Sequence, residues 1–146
     1  MMNETAEPYD VFLCFPYEAR GLGDLVLLSL EEAGLKVFRP WSADVTVGER
    51  AQDARAVLAG SRAVVGVVLS GEAVDPTLVI AIGAANALGK PVFIITDDVE
   101  QPDLPPYIAS LSVFPQSQVD QMRDAVTRVR RGGGRPGPRR VGSLAP

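Results

Sequence analysis

Arg62-Ala-Val-Val-Gly-Val-Val-Leu-Ser70 decides the fold. Between its two polar ends every residue is apolar or glycine, and valine dominates. A strand with one face in water alternates apolar and polar residues, whereas one covered on both faces is apolar throughout. This run therefore belongs near the centre of a sheet with helices on either side.

Working outward, further strand-like runs appear on both flanks. Tyr9-Asp-Val-Phe-Leu-Cys-Phe15 is ended by Pro16, and Lys36-Val-Phe-Arg39 is closed by Pro40. Pro91-Val-Phe-Ile-Ile-Thr96 reads as a fourth strand and Leu111 to Phe114 as a weaker fifth. Helical patterns lie between them. Asp24 to Ala33 places Leu25, Leu28 and Leu30 on its apolar side, with Glu31 and Glu32 outward and Gly34 as a stop. Glu49 to Ala59 has Ala51, Ala54, Val57 and Leu58 at helical spacing. Pro76 suits a helix first turn and opens a third helix that ends near Leu88 and Gly89. Gln118 to Arg130 forms the last. Strands alternating with helices predict an α/β fold: a three-layer flavodoxin-like sandwich, a five-stranded parallel sheet with helices on both faces.

The chain has 146 residues, 47% hydrophobic and 22% charged, which fits one globular core. It has no histidine and one cysteine. That removes Ser-His-Asp and Cys-His catalysis and nearly every zinc site, leaving carboxylates, hydroxyls, Arg, Lys and backbone for any chemistry. Cys14 has no partner for an internal disulfide, reads as a small core residue and suits a reducing cytoplasm. No apolar run reaches the roughly 18 residues of a membrane span, and the polar first ten residues are not a signal peptide.

Charge divides the chain. Residues 1–127 carry all 18 acids against 8 Lys and Arg, whereas 128–146 carry six arginines and no acid. The domain organisation expected is a disordered N-terminus over 1–8, a domain over 9–127 and a flexible basic Gly/Pro/Arg tail over 128–146. Such a tail reads as a solvated extension or linker; it is the one place where nucleic acid could touch the chain, but neither a nucleic-acid nor a membrane partner is expected.

In a sheet of this kind ligands bind beyond the carboxyl ends of the strands. Those ends carry Pro16, Tyr17, Glu18 and Arg20, then Trp41, Ser42 and Asp44, then Ser70, Glu72 and Asp75, and finally Asp97, Asp98 and Glu100. Phosphate-loop spacing is absent, and Gly21-Leu-Gly23 lacks the third glycine of a dinucleotide fingerprint. The third strand ends in Leu69-Ser70 rather than an aspartate, against a phosphoacceptor site.

Two stretches carry a family resemblance. Tyr9-Asp-Val-Phe-Leu-Cys-Phe15, Leu30-Glu-Glu-Ala-Gly-Leu-Lys-Val-Phe38, Val47-Gly48-Glu49, Ser61-Arg-Ala-Val-Val65 and Val68-Leu-Ser70 follow the order of a TIR (Toll/interleukin-1 receptor) domain, which they resemble. Asp75-Pro-Thr77 with Ile82-Gly-Ala-Ala-Asn-Ala-Leu-Gly-Lys-Pro-Val92 is similar to the nucleoside deoxyribosyltransferases. Both resemblances imply the same sandwich and cleavage of an N-glycosidic bond. The TIR resemblance further implies NAD+ as substrate rather than cofactor, release of nicotinamide, a role in prokaryotic immune signalling and self-association through TIR–TIR contacts.

In both families a glutamate early in the third helix stabilises or traps the oxocarbenium-like state at the ribose, the work that paired carboxylates do in glycosidases. The motif places that residue at Ala81, and alanine cannot be a nucleophile. Three explanations stay open: an inactivating replacement by design, a natural chain that binds without cutting, or transfer of the role to Glu72 or Asp75. The plain readings of these two are a solvated loop acid and a helix N-terminal acid. By position the resemblance places substrate contacts at Phe15, Pro16, Tyr17, Arg20, Arg39, Trp41, Ser70 and Glu72. Trp41 is suited to stacking on a base and Arg39 to pairing with phosphate, against ordinary roles as loop anchor and surface arginine. No metal ligand set is expected.

Overall fold

A computed structural model describes residues 9–39 and 58–131. Strands β1 (Tyr9–Cys14), β2 (Val37–Phe38), β3 (Ser61–Val67), β4 (Val92–Thr96) and β5 (Ser112–Pro115) form one sheet in the order β2-β1-β3-β4-β5. Every neighbouring pair is parallel. The central run is thus flanked by β1 and β4, with Cys14 opposite Gly66 and Val65 opposite Phe93.

Because side chains alternate along a strand, each strand feeds two cores. Val11, Leu13, Val65, Val67, Phe93 and Ile95 pack on one face with α1 (Arg20–Glu32) and the last helix (Val119–Arg131). Phe12, Cys14, Val64, Val92 and Ile94 pack on the other with α2 (Pro76–Leu88) and the one-turn helix α3 (Pro106–Ala109). The last helix is α4. Each large side chain sealed in these cores stabilises the fold by about 1.5–3 kcal/mol.

Several expectations need correction. Helix α1 begins at Arg20, not Asp24, so Arg20 is a helix residue rather than part of a loop. Its buried positions are Gly23, Val26, Ser29 and Leu30, while Leu25 and Leu28 are exposed. The cause is Phe15: a Cβ at position 23 would stand 2.4 Å from its ring, so glycine lets the helix close on the aromatic and fixes which face turns inward. Helix α4, expected over Gln118 to Arg130, spans Val119–Arg131. Helix α3 was not anticipated. The helix expected over 49–59 lies outside the described residues apart from its end, where Leu58 is buried. Trp41, the N-terminal segment 1–8 and the tail from 132 onward lie outside them too.

Turn chemistry follows the sequence. Gly34 ends α1 at φ +84°, and Gly89 ends α2 in the left-handed region at φ +71°, where a side chain would strain the backbone. Among the described residues no helix is long and apolar enough to cross a membrane.

Candidate functional site

The strand order reverses direction between β1 and β3, since the chain winds outward to β2 on one side and to β4 and β5 on the other. Sheets of this topology carry their ligand crevice at such a reversal, beyond the carboxyl ends of the strands, here β1 and β3. Helix α2 starts at its edge. Gly66 makes this possible: a Cβ there would lie 2.5 Å from Leu78 Cδ1, so glycine lets the first turn of α2 settle onto the sheet.

Asp75 occupies the N-cap position of α2, but its carboxylate makes no capping bond. Its Oδ2 is shielded from solvent. The charge reaches the Cys14 thiol at the end of β1, whose pKa is raised well above the ordinary value, first by burial and then by this negative neighbour. Asp75 therefore stands near the end of β1. Glu72 is exposed on the turn at Gly71, its amide donating to Leu69 O at 3.1 Å.

Ala81 lies a turn and a half into α2, with about 9 Å of helix rise separating it from Asp75. Only 2% exposed, it belongs to the same buried cluster as Phe12, Cys14 and Leu78. Side chains on a helix lean toward its N-terminus, so a longer side chain at position 81 would lie over the turn that holds Thr77 and Leu78. The methyl group present fills core space and offers no charge.

On the rim after β1, Tyr17 is 72% exposed, with the Arg20 guanidinium stacked 3.9 Å from its ring centroid. Arg20 also donates to Tyr17 O at 3.0 Å, which holds the pair together and leaves an aromatic face open to solvent. Pro16 precedes this turn in extended backbone. On the far rim Asp97 ties β3 to β4: its Oδ1 accepts from the Ser70 amide and from Thr96 Oγ1, both at 3.0 Å. Ser70 Oγ in turn accepts from the Asp103 amide at 2.7 Å. Ser70 is thus a tie between loops.

Phe15 and Arg39 are placed elsewhere. Phe15 is buried against α1, and Arg39 pairs with Asp24 of α1 at 3.7 Å, its guanidinium 6.0 Å from the Phe15 ring. Other motif residues prove to be fasteners at the opposite end of the sheet. Asp10 accepts from the Lys36 amide at 2.8 Å and pairs with Arg62 at 3.8 Å. Lys90 donates to the carbonyls of Leu58, Ala59 and Ser61. Among the described residues no group of three or more acidic, Cys or His side chains is placed to hold a metal.

Comparison with solved structures gives the architecture a counterpart. A TIR-STING receptor from C. gigas in complex with 2',3'-cGAMP superposes with TM-score 0.65 at 15% identity, covering 86% of this chain, which spans 41% of that receptor's length. The TIR domain of the Toll-related receptor TRR-2 from Hydra magnipapillata gives 0.51 at 20% identity, covering 88% of this chain and 99% of that domain. The fold is TIR-like. A CMP N-glycosidase from Clostridium botulinum, BcmB, shares the architecture at TM-score 0.56 and 15% identity, covering 80% of this chain and 98% of its own. No protein-family model matches the sequence, and no curated protein does.

Proposed function

We propose that this TIR-like domain binds a nucleotide of the NAD+ type in the crevice between β1 and β3 without cleaving its N-glycosidic bond. The observation that carries the reading is Ala81, sealed in the core where the resemblance puts the catalytic glutamate. Oxocarbenium chemistry needs a carboxylate at the ribose, and this position supplies none. Asp75, shielded at the crevice, takes the ribose side and accepts hydrogen bonds from its hydroxyls. The Tyr17–Arg20 stack presents an aromatic face to a base and a cation to phosphate. Pro16 shapes the turn between them, and Glu72 and Ser70 border the far side. NAD+ serves as ligand with no further cofactor, and the setting is prokaryotic immune signalling.

A glycosidase sharing the architecture supports placing the ligand's N-glycosidic bond in this crevice. The deoxyribosyltransferase reading rests on the motif from Asp75 to Val92, but Gly89 and Lys90 already have structural duties there. Self-association is the second part of the proposal, favoured by the charge-free outer face of α2.

Titration calorimetry with NAD+ tests the binding. The unaltered chain is expected to bind one equivalent and release no nicotinamide, and Asp75→Ala or Tyr17→Ala to weaken binding about tenfold, equivalent to about 1.4 kcal/mol. Absence of binding, or binding indifferent to both substitutions, contradicts the reading.

A further inference from the structure

The loops that follow β3 and β4, over 68–75 and 97–105, are tied to one another. The Ser70 amide donates to Asp97 Oδ1 at 3.0 Å, the Asp103 amide to Ser70 Oγ at 2.7 Å, and the Gly71 amide to Asp103 O at 3.0 Å. Two hydrogen-bonding groups are left over. Ser70 Oγ accepts in this tie, so its own proton remains to be given, and among the described residues no acceptor takes it. Asp97 Oδ1 takes both protein donors, the Ser70 amide and Thr96 Oγ1, which leaves Oδ2 with none among the described residues. Oδ2 is open to solvent. Both residues are half-buried. One donor and one acceptor thus stand within a side chain's length of each other, because the Ser70 amide already touches Asp97.

We propose that Ser70 and Asp97 read the amide or amidine edge of the nucleotide's base. Ser70 Oγ–H donates to the oxygen or ring nitrogen of that edge, and Asp97 Oδ2 accepts from the amino group beside it. The carboxamide of nicotinamide and the amino edge of adenine both set an acceptor next to an amino group, and NAD+ carries both. Separate water molecules would satisfy either group alone. What favours a base edge is that donor and acceptor are fixed relative to each other before any ligand arrives, and the tie between the loops does the fixing. Charge works in the same direction. Neither loop contains a lysine or arginine, so a carboxylate in place of the carboxamide meets Asp97 with no cation to offset the repulsion. An oxo group in place of the adenine amino group likewise sets oxygen against oxygen. The pair tells an amino-bearing base from its deaminated counterpart.

The assignment rests on the nucleotide reading above and adds to it the group by which the ligand is chosen. Asp97→Asn separates the ligand contact from the tie. The Ser70 amide and the Thr96 hydroxyl need an acceptor, so the substituted amide turns its carbonyl oxygen to them and its NH2 to the open side. The loops stay joined while the acceptor offered to the base becomes a donor.

Titration calorimetry on the whole chain compares NAD+ with nicotinic acid adenine dinucleotide and with nicotinamide hypoxanthine dinucleotide. The unaltered chain is expected to bind NAD+ at least about tenfold tighter than one of the two analogues, the acid if the carboxamide is read and the hypoxanthine if adenine is. Asp97→Asn is expected to keep a thermal midpoint near that of the unaltered chain and to abolish or reverse the preference. Ser70→Ala is expected to lower NAD+ affinity about tenfold. Residues serving folding alone would not move the preference between ligands. Equal affinity for all three dinucleotides overturns the inference and leaves nucleotide binding standing, as does a preference that survives both substitutions unchanged. Failure of the unaltered chain to bind NAD+ overturns both. If circular dichroism shows that Asp97→Asn does not fold, Ser70→Ala decides alone: NAD+ affinity within about twofold of the unaltered chain's overturns the inference.

Discussion

Gly66 of β3 lies directly beneath Leu78 of α2, so close that a Cβ at position 66 would meet the leucine side chain at 2.5 Å. This contact fixes how near the first turn of α2 comes to the sheet. It therefore fixes where Asp75 stands relative to the end of β1, because Gly66 is also the partner of Cys14 in the ladder. One missing methyl group sets the geometry of the crevice.

Gly66→Ala should push α2 outward. Overpacking of this kind costs about 1–3 kcal/mol. Thermal unfolding should show a lowered Tm, and adding Leu78→Ala should give a loss smaller than the two single losses combined, since the shortened side chain makes room. Strict additivity would mean that the two residues do not meet as described.

Lys90→Met tests whether the Gly-Lys pair serves folding or ligand. It removes a cation from the carbonyls of Leu58, Ala59 and Ser61 and should destabilise the chain by about 2 kcal/mol. NAD+ affinity of the folded fraction should be unchanged, because these bonds sit at the end of the sheet away from the crevice. A selective loss of affinity at unchanged stability would contradict this assignment.

Cys14 predicts a pH dependence. Its thiol is pushed upward in the folded protein by burial and by Asp75, so the unfolded chain gives up the proton first as pH rises. The stability contribution is complete below the ordinary thiol range and is lost on going above about pH 8.5. Chemical denaturation across this range should show the loss in the unaltered chain and a smaller one in Cys14→Ala. The thiol should also resist alkylation until the chain unfolds.

Asp97→Ala removes the acceptor shared by the Ser70 amide and Thr96 Oγ1. Stability should fall by about 1–2 kcal/mol. Amide hydrogen exchange should accelerate at Ser70 and Gly71 and stay slow at Val65. Unchanged protection at Ser70 would contradict the tie.

The strands were legible because β1, β3 and β4, covered on both sides, leave an uninterrupted apolar trace. The inward face of α1 was not. Leucines at 22, 25, 27, 28 and 30 point all round that helix, and the choice falls to Gly23 under Phe15, a contact between positions eight apart that periodicity does not report. Order and spacing single out Asp75 and Ala81, which lie at the N-cap and on the buried face of α2. What spacing did not separate was ligand residue from fastener: Asp10, Arg62 and Lys90 lie in the same motifs yet tie strands and a helix end together. Ser70 and Asp97 were both on the rim as read, but their bond joins loops 27 positions apart.

On the proposed reading, one alanine separates this chain from N-glycosidic cleavage. The most direct measurement is base release from NAD+ and from deoxynucleosides, followed side by side for the unaltered chain and for Ala81→Glu, with folding of both confirmed by circular dichroism. The expected result is no release by the unaltered chain and measurable nicotinamide release by Ala81→Glu. Turnover by the unaltered chain would contradict it and move the chemistry to Asp75 or Glu72.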